Sequence, residues 1–107
     1  MKNAVIYTRV STDEQSNTSL TLRNQEEELR KHCESKGFNV VGHFQDDCSA
    51  KTFNRPEWRK LEEFVKNSEN VGLILITNWD RFSRDVNQGY KIISQMSNRG
   101  IEIKSIK

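Results

Sequence analysis

The chain has 107 residues, of which 34% are hydrophobic and 30% charged; a domain of that length buries roughly two-thirds of its surface around one core, which excludes a second full domain and intrinsic disorder. Its 17 basic and 15 acidic residues leave a formal charge of +2, too weak a field to argue for a nucleic-acid partner unless arginines cluster locally. No apolar run exceeds the four residues Leu73 to Ile76, far short of the ~20 residues that cross a bilayer, and Met1-Lys2-Asn3 leads into a short apolar strand and not into a signal-peptide core. The expectation is a cytoplasmic protein with no membrane partner, whose two cysteines, Cys33 and Cys48, are free thiols in a reducing compartment.

Ala4 to Val10 is β-branched and aromatic and reads as a first strand, running into the polar stretch Ser11 to Thr18. From about Ser19 to Lys36 the spacing of Leu22, Leu29 and Cys33 predicts an amphipathic helix with a narrow apolar stripe, and Gly37 stands where a C-cap glycine belongs. Phe38 to Phe44 reads as a second strand, interrupted by Gly42, followed by the polar turn Gln45 to Ala50. Pro56 suits a first helical turn and Glu57 its positive end; Trp58, Leu61, Phe64 and Val65 then recur at helical spacing, which predicts a second helix over 56–67. Val71 to Thr77 is continuously apolar, the pattern of the central strand of a parallel sheet. Val86, Tyr90, Ile93 and Met96 indicate a third helix closing at Gly100, and Ile101 to Ile106 a fourth strand. Strictly alternating strands and helices predict an α/β domain: a three-layer αβα sandwich with a mostly parallel sheet.

Ligands of such sheets bind beyond the carboxyl ends of the strands. There the chain places Arg9 and Ser11, then Asp46 and Asp47, then Asp80, Arg81 and Arg84. Tyr7, Arg9 and Ser11 project to one side while the strand geometry holds. A serine hydroxyl beside guanidiniums suits attack on a phosphodiester, because the alkoxide is a useful nucleophile only where cations stabilise charge on the phosphoryl oxygens. The same Ser11-Thr12-Asp13-Glu14 stretch also fits a capping or turn sequence. At a helix start Arg84 would lie beside both Arg81 and Asp80, so that two planar guanidiniums reach one phosphate, or an exposed charge cluster caps the helix with Asp80. Asp46 and Asp47, with Asp13, Glu14 and Asp80, offer oxygens for Mg²⁺ in a phosphodiesterase, although adjacent residues seldom both point inward and a solvated turn is the alternative. His32, Cys33, His43 and Cys48 lack zinc-ligand spacing; Cys33 is expected in the core and both histidines at the surface. Trp58 and Trp79 are candidates for stacking on bases, but Trp58 falls on the apolar helix stripe and reads as packing. No glycine-rich phosphate loop is present.

The strings Tyr7-Thr8-Arg9-Val10-Ser11-Thr12-Asp13-Glu14-Gln15, Arg55-Pro56 and Trp79-Asp80-Arg81-Phe82-Ser83-Arg84-Asp85 together resemble the serine recombinases, the family of resolvases, invertases and large serine integrases. The resemblance spans nearly the whole chain and implies the catalytic domain, with a dimer-forming helix and a DNA-binding part expected beyond Lys107. It implies that Ser11 attacks a DNA phosphate, giving a 5′-phosphoserine and a free 3′-hydroxyl. It makes Arg9, Arg81 and Arg84 the arginines on the scissile phosphate, Asp80 the acid beside them that handles the leaving-group proton, and Arg55 a further site arginine. Gln15, Gln25 and Asp46 match supporting positions. No metal, nucleotide or other cofactor is implied, and the partners implied are double-stranded DNA at recombination sites and further copies of the protein, as a dimer and then a tetramer. The chain departs from the family where Ser49-Ala50 stands for the usual Ser-Gly, and where Trp79 and Phe82 replace leucines. A metal-dependent nuclease and a non-catalytic α/β regulatory module are the other two readings.

Overall fold

The computed structural model describes residues 2–10, 18–47, 55–68, 70–83 and 85–107, without the side chains of 18–21, 80 and 81. Four parallel strands form one sheet in the order β2-β1-β3-β4: β1 is Asn3–Val10, β2 Asn39–Asp47, β3 Val71–Ile76 and β4 Glu102–Ser105. The centre of the sheet is therefore shared by β1 and β3, where the sequence pointed to β3 alone. β1 carries its own signal for this, since every residue from Ala4 to Val10 is buried.

Helix α1, Thr18–Lys36, follows β1, and Gly37 ends it at φ 74°, a backbone conformation that a side chain would strain. α1 lays Leu29 and Cys33 against Ala4, Ile6, Leu73 and Leu75 on one face of the sheet. α2, Pro56–Lys66, and α4, Val86–Ser97, cover the other face, where Trp58, Leu61 and Met96 pack on Val5, Tyr7, Ile74 and Ile76. The sandwich has the three layers expected. Chain winding reverses after β2: β1 leads outward to the edge strand β2, and α2 then carries the chain back across β1 to β3. With crossovers of one hand, that reversal puts α1 and α2 on opposite faces and opens a crevice at the carboxyl ends of β1 and β3.

The segment expected to open the third helix is divided. A four-residue helix α3, Trp79–Phe82, stops short of α4. Between them the Ser83 hydroxyl accepts from the Asp85 amide at 3.1 Å, and Asp85 caps α4 by accepting from the Gln88 amide at 3.1 Å. The cap of α4 is Asp85, whereas Asp80 lies within α3; Arg84 falls outside the described residues.

Candidate active site

Strand alternation sends Tyr7 and Arg9 to the α2 side of β1, and pairing with β2 sets Phe44 and Asp46 opposite them. Three buried polar side chains of this face meet at the strand ends. The Tyr7 hydroxyl donates to Asp46 Oδ2 at 2.8 Å, and Arg55 donates to the same hydroxyl at 3.3 Å. Burial holds the Tyr7 phenol well above its ordinary pKa, with Arg55 pulling down and Asp46 pushing up, so it stays protonated and serves as both donor and acceptor.

Asp46 also completes the start of α2. The N-cap residue of that helix is Arg55, whose side chain makes no capping bond, and the first helical residue is Pro56, which has no amide hydrogen. The next two amides, of Glu57 and Trp58, donate to Asp46 Oδ1 and Oδ2 at 3.1 and 3.0 Å, and the Arg59 amide begins the helical ladder on the Arg55 carbonyl. A carboxylate from another strand thus does the work of a local cap at the positive helix end. Of the turn read over Gln45 to Ala50, the first three residues instead end β2, with Asp46 4% exposed and Asp47 exposed, and Cys48 to Ala50 lie outside the described residues. Both Asp46 oxygens accept hydrogen bonds from the protein.

Arg9 is fully buried, and its backbone is held from α1. β1 pairs with β3 only as far as Ile6 against Leu75, and beyond that point the Gln25 side chain supplies the missing partners: its Nε2 donates to the Arg9 carbonyl at 3.0 Å, and its Oε1 accepts from the Arg9 amide at 3.2 Å. One residue earlier, on the opposite face, Thr8 is hydrogen-bonded to His43 Nε2 at 3.1 Å; His43 Nδ1 lies 3.5 Å from Glu26, which is paired to Arg30 at 2.7 Å. His43 is therefore largely enclosed between α1 and the sheet, not a surface histidine, and its burial lowers its pKa against the pull of Glu26.

Of the predicted site residues, Arg9, Arg55, Asp46 and Gln25 come together. Asp80 and Arg81 lie on α3, their side chains outside the description, and Ser11, Gln15 and Arg84 lie outside the described residues, as do Asp13, Glu14 and Cys48. Cys33 is in the core, and no cluster of metal-ligating side chains occurs among the described residues. Tyr7 and Trp58 are site residues to which the sequence reading gave no role there. Trp58 is fully buried and meets the Tyr7 ring edge-on, centroids 5.0 Å apart. Trp79 is 44% exposed and lines an apolar groove of about 360 Å³ with Phe82, Val86 and Tyr90. Among the described residues, the buried charged side chains are Arg9, Arg55 and Asp46. Arg9 and Arg55 are thus held at the strand ends, and a guanidinium is the group suited to bind phosphate oxygens there.

Residues 4–107 match the family model described as the resolvase N-terminal domain. The chain is 31% identical to the catalytic domain of ISC1926 TnpA, an IS607-like serine recombinase, with a TM-score of 0.86 over 98% of this chain and 70% of that one. It is 26% identical to the N-terminal catalytic domain of TP901-1 integrase, TM-score 0.85, over 98% of this chain and 77% of that one. It is also 39% identical over 69 residues, 64% of this chain and 80% of the relative, to the uncharacterized immunity region protein 3 of Bacillus phage phi105. The chain belongs to the resolvase N-terminal domain family, that of the serine recombinase catalytic domains.

Proposed function

We propose that this chain is the catalytic part of a longer site-specific DNA recombinase, which cuts and rejoins double-stranded DNA by serine transesterification. Ser11 Oγ forms a bond to the scissile phosphorus as the bond to the 3′ oxygen breaks. The proton lost by Ser11 is matched by the one that the leaving 3′ oxygen gains, with Asp80 as the group that handles it. Arg9, Arg81 and Arg84 stabilise charge on the phosphoryl oxygens. The phosphoserine retains the phosphodiester energy, so rejoining is the reverse attack by a 3′-hydroxyl and needs no nucleotide or metal. Arg55 adds a further cation, and Asp46, Gln25 and Gln15 hold the site. Assembly into a dimer and then a tetramer on DNA, within a mobile element, is part of the same reading.

The observation that carries it is the burial of two arginines, Arg9 and Arg55, beside Asp46 at the switch point of the sheet, in a chain of this family. The test is to incubate the protein with DNA spanning the ends of its own element in EDTA, denature it, and look for a DNA adduct by peptide mass spectrometry. The expected result is an adduct on Ser11 that vanishes in Ser11→Ala. Cleavage that needs Mg²⁺ and ignores Ser11→Ala would replace the proposal with a metal-dependent nuclease.

A further inference from the structure

α3 is a single helical turn, closed by the Ser83 amide on the Trp79 carbonyl at 2.8 Å. One isolated turn is unfavourable, because a single hydrogen bond does not offset the backbone freedom it removes. Tertiary contact must therefore hold α3, and Phe82 supplies it: this ring is 1% exposed and meets the Trp58 ring edge-on, centroids 5.3 Å apart and planes at 65°. Trp79 extends the series outward, 5.9 Å from Phe82 at 75°. On its other side Trp58 meets Tyr7 at 5.0 Å and 78°, and its backbone amide donates to Asp46. The same residue thus touches the ring whose hydroxyl joins Asp46 to Arg55, the carboxylate itself, and the ring that anchors α3.

We propose that Trp58 is a positioning residue that couples the two halves of the site, fixing α3, with Asp80 and Arg81 on it, against the Tyr7, Asp46 and Arg55 network. The functional part of this inference rests on the roles proposed above for Asp80 and Arg81. Edge-to-face pairs prefer particular tilts, which an aliphatic side chain does not impose, so the indole sets the orientation of α3 as well as its distance. Orientation is what a phosphoryl-transfer site needs, since misplacement by about 1 Å lowers rates on the order of a hundredfold.

Two measurements test it. The first is independent of activity: amide exchange at Ser83, which reports the opening of α3, in Trp58→Leu, Trp58→Phe and Val65→Ala. Val65 is buried on the same helix at the end away from Asp46 and serves as the control for general loss of stability. The expected result is that Ser83 exchanges faster in Trp58→Leu than its global stability accounts for, that Trp58→Phe recovers most of the protection, and that Val65→Ala follows global stability. Phe82→Leu should open α3 in the same way, and combining it with Trp58→Leu should add little, since both remove one contact. The second measurement is the rate of adduct formation on Ser11, expected to fall about tenfold or more in Trp58→Leu with DNA affinity changed by less than about threefold. Ser83 exchange that follows global stability in Trp58→Leu and Phe82→Leu alike overturns the coupling, as does an unchanged adduct rate with α3 open. A wild-type protein that forms no adduct overturns the recombinase reading alone, and the exchange comparison still decides the coupling.

Discussion

Asp46 and Asp47 are neighbours of the same type, and the structure predicts opposite consequences for their loss. In Asp46→Ala the amides of Glu57 and Trp58 and the Tyr7 hydroxyl all lose their acceptor. Loss of a helix cap alone costs about 1 kcal/mol, and each buried donor left unsatisfied about 1–3 kcal/mol. Arg55 in addition loses the carboxylate that the Tyr7 hydroxyl links to it, which weakens the electrostatic support of a buried guanidinium. These contributions overlap, because relaxation and water entry that relieve one relieve the others, so the expected loss is about 3–5 kcal/mol in total. Against the roughly 5–15 kcal/mol typical of a domain, that is a large share of the stability. Asp47→Ala, at an exposed position, should stay within about 0.5 kcal/mol of wild type. Urea unfolding followed by the fluorescence of Trp58 and Trp79 measures both. A loss below about 1 kcal/mol for Asp46→Ala would refute the account of Asp46 as cap and counter-charge.

Gln25→Ala should cost about 2 kcal/mol by leaving the amide and carbonyl of Arg9 without their partners, and Gln25→Glu should do no better, since a carboxylate cannot donate to that carbonyl; urea unfolding with amide exchange at Arg9 checks both, and wild-type stability in Gln25→Ala would sink the idea. The pKa of His43 is lowered from 6.5 by burial, so protonation favours the unfolded chain: its contribution is complete above about pH 6.5 and is lost as pH falls through the lower folded value. Stability measured against pH should therefore drop on acidification below that point, less steeply in His43→Gln; identical slopes in the two proteins would show that His43 does not carry the effect.

Local signals were enough for the frame. The Tyr7 and Arg9 alternation, Gly37 after the first helix and Pro56 at the start of the second each act within a few residues, and all three stand where the sequence put them. The division of the third motif was also written locally: Asp85 followed by Gln88 is a capping-box spacing, and it marks the start of α4. What escaped were contacts across sequence. Asp46 and Asp47 cannot be told apart until strand pairing decides which one faces α2. The cap they compete for lies next to Arg55-Pro56, and its clue was a lack, since neither residue can serve as a side-chain cap there. His43 looked exposed because its partners, Thr8 and Glu26, come from two other elements.

The winding of the sheet explains why the polar network has the members it has. With β1 between β2 and β3, a side chain on the α2 face at the end of β1 is flanked by one strand that runs on to Asp47 and one whose pairing has ended at Leu75. The longer strand supplies a carboxylate, and the missing length on the other side is filled by an amide from α1. Asp46 and Gln25 are therefore both substitutes for regular structure, a helix cap and a strand partner, and each is fixed to the backbone next to an arginine. A site built this way joins stability to position: whatever loosens the end of α2 also moves Arg55, and whatever frees the Arg9 backbone also frees its guanidinium. Loss of cleavage in Asp46→Ala would not by itself mark a group that touches DNA. The separation comes from Asp46→Asn, which keeps one acceptor oxygen for the helix amides but removes the counter-charge; a variant that folds well and cleaves poorly would assign the effect to charge, and one that recovers both would assign it to the cap.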